Sequence, residues 1–98
     1  MLDIPLEHRA DPEIVAALGR RLARLRKAAG LTQAAAAERA ALDRSTVSRA
    51  ERGDNPNVLT VVRLLRVYGR LGALEAFIPE AEVSPMALVR SSRQRADG

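Results

Sequence analysis

Apolar residues recur at helical spacing in the first third of the chain: Ile14, Leu18, Leu22 and Leu25 form one stripe, with Arg20, Arg21, Arg24 and Lys27 on other faces. The pattern predicts a helix from Asp11 to about Ala29, with Asp11 as N-cap, Pro12 at the first helical position and Gly30 as a left-handed stop. Thr32 is a natural N-cap for a second helix to about Ala40, in which Ala34 to Ala37 permit close helix contact. Asp43 is expected to cap a third helix, Arg44 to about Arg52, with Val47 and Ala50 facing inward and Gly53 ending it. Ala41, Leu42 and Asp43 alone separate the second helix from the third, which is helix-turn-helix spacing. Asp54 to Asn57 read as a loop. Val58, Val61, Leu64, Leu65 and Tyr68 then trace a fourth helix ending near Gly69, and a short fifth covers Leu71 to Ile78 before Pro79. The expected fold class is all-α with five helices. Residues 1–10 form an N-terminal arm, 11–79 the folded domain, and 80–98 a basic tail that orders with a partner. In that tail Ser84 and Pro85 could open a brief helix containing Met86, Leu88 and Val89.

Composition narrows what such a bundle can do. The 98 residues fit one domain, and Tyr68 and Phe77 are its only aromatic side chains, so the core rests on aliphatics and alanine. Zero cysteines exclude disulfides and thiolate chemistry, and the single histidine, His8, excludes a multi-histidine metal site in one chain. Neither a catalytic histidine beside Ser45, Ser48 or Ser84 nor a glycine-rich phosphate loop is present, so no enzyme, cofactor or small-molecule substrate is expected. Two packed aromatics give poor platforms for single-stranded nucleic acid, and the basic faces lack aromatic membrane anchors. With no secretory pattern and no bilayer-length apolar run, the expected location is the cytoplasm.

The formal charge is +4, and the basic excess is denser between Arg20 and Arg52 than over the whole chain. There Arg20, Arg21, Arg24, Arg26, Lys27, Arg39, Arg44, Arg49 and Arg52 stand against Glu38, Asp43 and Glu51. Such a patch suits a polyanion. A helix lying in the major groove needs short or forked polar side chains near its N-terminus, and Arg44, Ser45, Ser48 and Arg49 fill those positions.

The run Leu25-Arg26-Lys27-Ala28-Ala29-Gly30-Leu31-Thr32-Gln33, followed by Ser45-Thr46-Val47-Ser48-Arg49-Ala50-Glu51-Arg52-Gly53, resembles the phage-repressor-like Cro/CI or XRE helix-turn-helix family. The resemblance covers roughly residues 13–78 and implies a lambda-repressor-like domain that binds double-stranded DNA. It implies that Gln33 contacts a phosphate and braces the recognition helix, that Thr32 caps the second helix and touches the same strand, and that Arg52 contacts a phosphate. Arg44, Ser45 and Arg49 correspond to base-reading positions, and Arg26 and Glu51 to a structural ion pair between the first and third helices. A homodimer on a palindromic operator is expected, with Leu71, Leu74, Phe77 and Ile78 as its apolar face or, for some of them, the lid of the monomer core.

Three positions depart from the family pattern. Ala41 stands where a glycine is usual, so the turn either avoids positive φ or carries strain of about 1 kcal/mol. Ala36 and Ala50 replace larger aliphatics, which brings helices two and three closer or loosens the core, and low stability of the isolated monomer is expected. Two roles fit the family: a stand-alone transcriptional repressor, or an antitoxin that neutralises a HipA-like kinase toxin and represses its own promoter, with residues 80–98 binding the toxin.

Overall fold

A computed structural model of the chain describes residues 5–81. Every regular element among them is helical: a 3-10 turn at Leu6–His8, then α1 (Asp11–Ala28), α2 (Gln33–Ala40), α3 (Arg44–Glu51), α4 (Val58–Val67) and α5 (Ala73–Phe77). The all-α, five-helix expectation is therefore met. The expected brief helix after Ser84, and residues 82–98 of the segment expected to bind a toxin, lie outside the described residues.

Helix α2 packs against α3 and α4, and α1 packs against α3. Their shared core holds Leu22, Ala37, Ala40, Val47, Ala50, Leu64 and Leu65, with Leu42, Val61, Tyr68, Leu71 and Leu74 around its edge. Val47 and Leu64 are its fully sealed large side chains. Ala36 and Ala50 are also sealed, so the small residues at these positions leave no seam open to solvent.

Several boundaries move. The N-cap of α1 is Ala10, not Asp11, and makes no side-chain cap; Asp11 falls in the first turn, where its charge still suits the helix dipole. Asp43 occupies the N-cap of α3, but its backbone carbonyl, not its side chain, receives the first amide hydrogens, from Thr46 and Val47. Thr32 does cap α2, its hydroxyl accepting from the Ala35 amide at 3.1 Å. Asn57, expected as loop, caps α4 by accepting from the Thr60 amide at 2.8 Å. Burial in α4 accordingly begins at Thr60, and Val58, expected to face inward, stands 68% exposed. Helix α5 starts only at Ala73 and buries none of its residues.

The stripe of α1 is also displaced. Its buried positions are Ala17, Gly19, Leu22 and Arg26, while Ile14, Leu18 and Leu25 are half-buried. The reason is how closely α1 approaches α3. A Cβ on Gly19 would lie 2.6 Å from the Glu51 carbonyl oxygen, and one on Gly53 would lie 2.6 Å from the Ala16 Cα. Backbone rests on backbone at this crossing, so small residues rather than leucines occupy the nearest face.

Four helix ends close in one way. An amide five positions along returns to the last turn: Leu31 to the Arg26 carbonyl, Leu42 to Ala37, Asp54 to Arg49 and Arg70 to Leu65. The left-handed residue this requires is glycine in three of them, and in α2 it is Ala41, at φ 55°. Of the two options open for Ala41, the strained one is therefore realised. Leu42 packs at the core edge beyond it, and Arg63 Nη1 donates to the Ala41 carbonyl at 3.3 Å, so α4 helps hold the turn.

Candidate nucleic-acid interface

At about 100° per residue, Arg44, Ser48, Arg52, Ser45 and Arg49 fall, in that angular order, within an arc of about 140° on α3 and its C-cap. Arg44, Ser45, Arg49 and Arg52 are exposed and Ser48 is half-buried, whereas Val47 and Ala50 on the opposite side are sealed. The apolar side fixes which way α3 faces, and the polar side is left free. Two features of the exposed side run against helix preference: Arg44 places a cation in the first turn, and that turn holds no acidic residue.

Behind α3 lies a buried polar cluster. Arg26 Nε donates to Glu51 Oε2 at 2.6 Å and Arg26 Nη2 to Oε1 at 3.0 Å, a two-pronged pair whose side chains are nearly buried. Arg26 Nη1 also donates to the Leu31 carbonyl at 2.8 Å, tying in the α1–α2 turn. Gln33 Nε2 donates to Glu51 Oε1 at 3.1 Å. One carboxylate at the end of α3 thus collects α1 and the start of α2. The bond to Glu51 holds the Arg26 pKa above its ordinary value, against the opposing effect of burial.

Tyr68, at the end of α4, shares this electrostatic environment. Burial, reinforced by Glu51 and opposed by Arg26, pushes its hydroxyl up to about 12. That hydroxyl has no hydrogen-bond partner among the described residues. Sequence reasoning placed Tyr68 in the core without its relation to this pair. Gly19, Arg63 and the Asn57 cap were likewise not singled out; the side chain of Asn57, three residues before Thr60, was the one local signal.

The remaining candidate residues are distributed as follows. Thr32 is exposed, with its oxygen engaged in the α2 cap, and Gln33 is half-buried with its amide on Glu51. Arg52 Nη1 donates to Ser48 Oγ at 2.9 Å, so this arginine touches another residue of the same face. An open groove of about 330 Å³ runs beside α3, lined by Thr46 and Arg49 on one side and by Asp54 to Asn57 and Thr60 on the other. Leu71 and Leu74 pack at the core edge, whereas Phe77 and Ile78 stand 54% and 70% exposed, so Phe77 is not the packed aromatic expected. No helix of the described residues is long and apolar enough to cross a membrane. The same residues contain no group of three or more His, Cys, Asp or Glu side chains arranged to hold a metal ion.

A family model described as a helix-turn-helix domain matches residues 17–77, which contain all of α2 to α5 and most of α1. Neither the curated proteins nor the solved structures contain a match to the chain. The matched span is more than half of the sequence and includes the arc on α3 and the cluster behind it. The chain belongs to the helix-turn-helix domain family and is a DNA-binding regulator.

Proposed function

We propose that the protein is a sequence-specific repressor of the Cro/CI or XRE type that binds a palindromic operator as a homodimer, with residues 11–79 as the DNA-binding unit. The observation that carries this reading is the division of α3 into a sealed side, Val47 and Ala50, and a basic polar side, Arg44, Ser45, Ser48 and Arg49. Laid in the major groove, Arg44 offers a fork to guanine N7 and O6 from the first turn, and Arg49 follows about a turn and a half later. Thr32 and Gln33 at the start of α2 and Arg52 at the end of α3 supply phosphate contacts, with Glu51 holding Gln33 in place.

One such unit spans a few base pairs, so specificity requires a second copy reading a half-site about 34 Å away. The exposed Phe77 and Ile78 are the centre of the dimer face, with Leu74 and Leu71 completing its inner edge. Selection from a random duplex library tests the whole reading. The expected product is a two-fold symmetric motif, bound with a log-log salt slope of roughly −5 if each protomer neutralises about three phosphates. Failure to enrich any duplex, or a slope near zero, would overturn it.

A further inference from the structure

We infer that Arg52 is a positioning residue for Ser48, and that its hydrogen bond makes Ser48 a donor that reads acceptor edges of base pairs. The inference rests on the proposed reading of α3 and deepens it. A serine hydroxyl has one hydrogen to give and two lone pairs to offer, so by itself it accepts or donates and discriminates poorly between bases. Here the ambiguity is removed. Arg52 Nη1 lies one helical turn beyond Ser48 and donates to its Oγ at 2.9 Å. A guanidinium only donates and is always charged. It occupies a lone pair of Oγ, disfavours a second N–H donor beside the same oxygen, and polarises the O–H outward.

Both residues lie on the exposed arc of α3, Ser48 between Arg44 and Arg52, so the hydroxyl is on the side that would meet the groove. Guanine N7 and O6, thymine O4 and adenine N7 are acceptors there, whereas cytosine N4 and adenine N6 are donors. Ser48 therefore favours a guanine or thymine edge and rejects the amino group of cytosine. The phosphate role expected for Arg52 uses other hydrogens of the same five-donor group, and the two roles predict different results when Arg52 is removed.

The test is duplex selection and single-base competition with the full chain as wild type, Arg52→Ala, Arg52→Lys, Ser48→Ala and Ser48→Ala with Arg52→Ala. The base pair whose preference changes in Ser48→Ala marks the position Ser48 reads. At that pair Arg52→Ala should lose about three- to tenfold of the discrimination against cytosine, the size of one hydrogen bond. Arg52→Lys should restore part of it, and the preference at the pair read by Arg44 should persist in both. In the Ser48→Ala background Arg52→Ala should change no base preference. Uniform weakening on every duplex with unchanged preferences, or an equal shift in the Ser48→Ala background, would overturn the role given to Arg52 alone. A wild type that enriches no sequence would overturn this inference together with the function it rests on.

Discussion

Helix α3 is held from behind by its own backbone and by a buried carboxylate, whereas α5 buries none of its residues. At the first of these regions Gly19 and Gly53 let α1 lie on the end of α3, and Glu51 gathers Arg26 and Gln33. At the second, Leu71 and Leu74 touch the core edge and Phe77 and Ile78 point outward. The difference lies in how far each region is packed within one chain. If α3 reads bases as proposed, its angle must be held closely, and the backbone contacts at Gly19 and Gly53 and the Glu51 cluster are suited to hold it. The proposed dimer face would account for apolar side chains left uncovered within one chain.

The contrast is most severely broken at Glu51. Glu51→Ala leaves the Arg26 guanidinium buried with only the Leu31 carbonyl, and unfolding in urea should show a loss of about 3–5 kcal/mol. A loss below about 1 kcal/mol would show that the cluster does not anchor α3. Gly53→Ala comes next. Its new methyl carbon would meet the Ala16 backbone at 2.6 Å in a residue at φ 73°, and overpacking with left-handed strain should together cost about 2–4 kcal/mol. Gly30, also left-handed but with open space around it, is the control: Gly30→Ala should lose only the strain of about 1–2 kcal/mol.

Tyr68 sharpens the comparison through pH. Between its ordinary value of 10.0 and about 12 the unfolded chain has released a proton that the native chain retains. Stability from this group is thus complete below about pH 10 and declines as pH rises toward about 12. Tyr68→Phe should remove that alkaline decline and, by deleting a buried hydroxyl without a partner among the described residues, raise stability at neutral pH by about 1 kcal/mol. Equal alkaline melting curves for the two proteins would contradict this account. The smallest effect belongs to α5: Phe77→Ser with Ile78→Ser should change the unfolding free energy of the monomer by less than about 0.5 kcal/mol. The same pair should abolish concentration-dependent association in sedimentation, and a dimer that survived it would relocate the interface.

The helix-turn-helix spacing was legible because local chemistry writes it: Thr32 at a cap, small polar residues along α3, Gly30 and Gly53 at the stops. What stayed hidden is set by distant contacts. A glycine within α1 carries no local message, and only the approach of the Glu51 carbonyl gives Gly19 its role. The sequence left two options for Ala41, and its left-handed turn became visible only with Leu42 and Arg63 in place around it. Val58 shares helical phase with Val61 and Leu65, yet no core covers its side chain at the start of α4, and periodicity does not report where a core stops. For the site, residue types indicated which side chains suit a DNA groove. The Ser48–Arg52 bond, the Gln33–Glu51 bond and the partition of residues 71–78 into packed leucines and exposed phenylalanine and isoleucine required coordinates.

The most direct measurement is an anisotropy titration of wild type and Arg44→Ala, at one fixed salt concentration, against the selected duplex and its single-base variants. With the outer side of α3 in the groove, Arg44→Ala should bind the selected duplex about 1–3 kcal/mol more weakly and lose discrimination at one base pair per half-site, keeping it elsewhere. An Arg44→Ala protein that bound the selected duplex and every variant as wild type does would contradict the account.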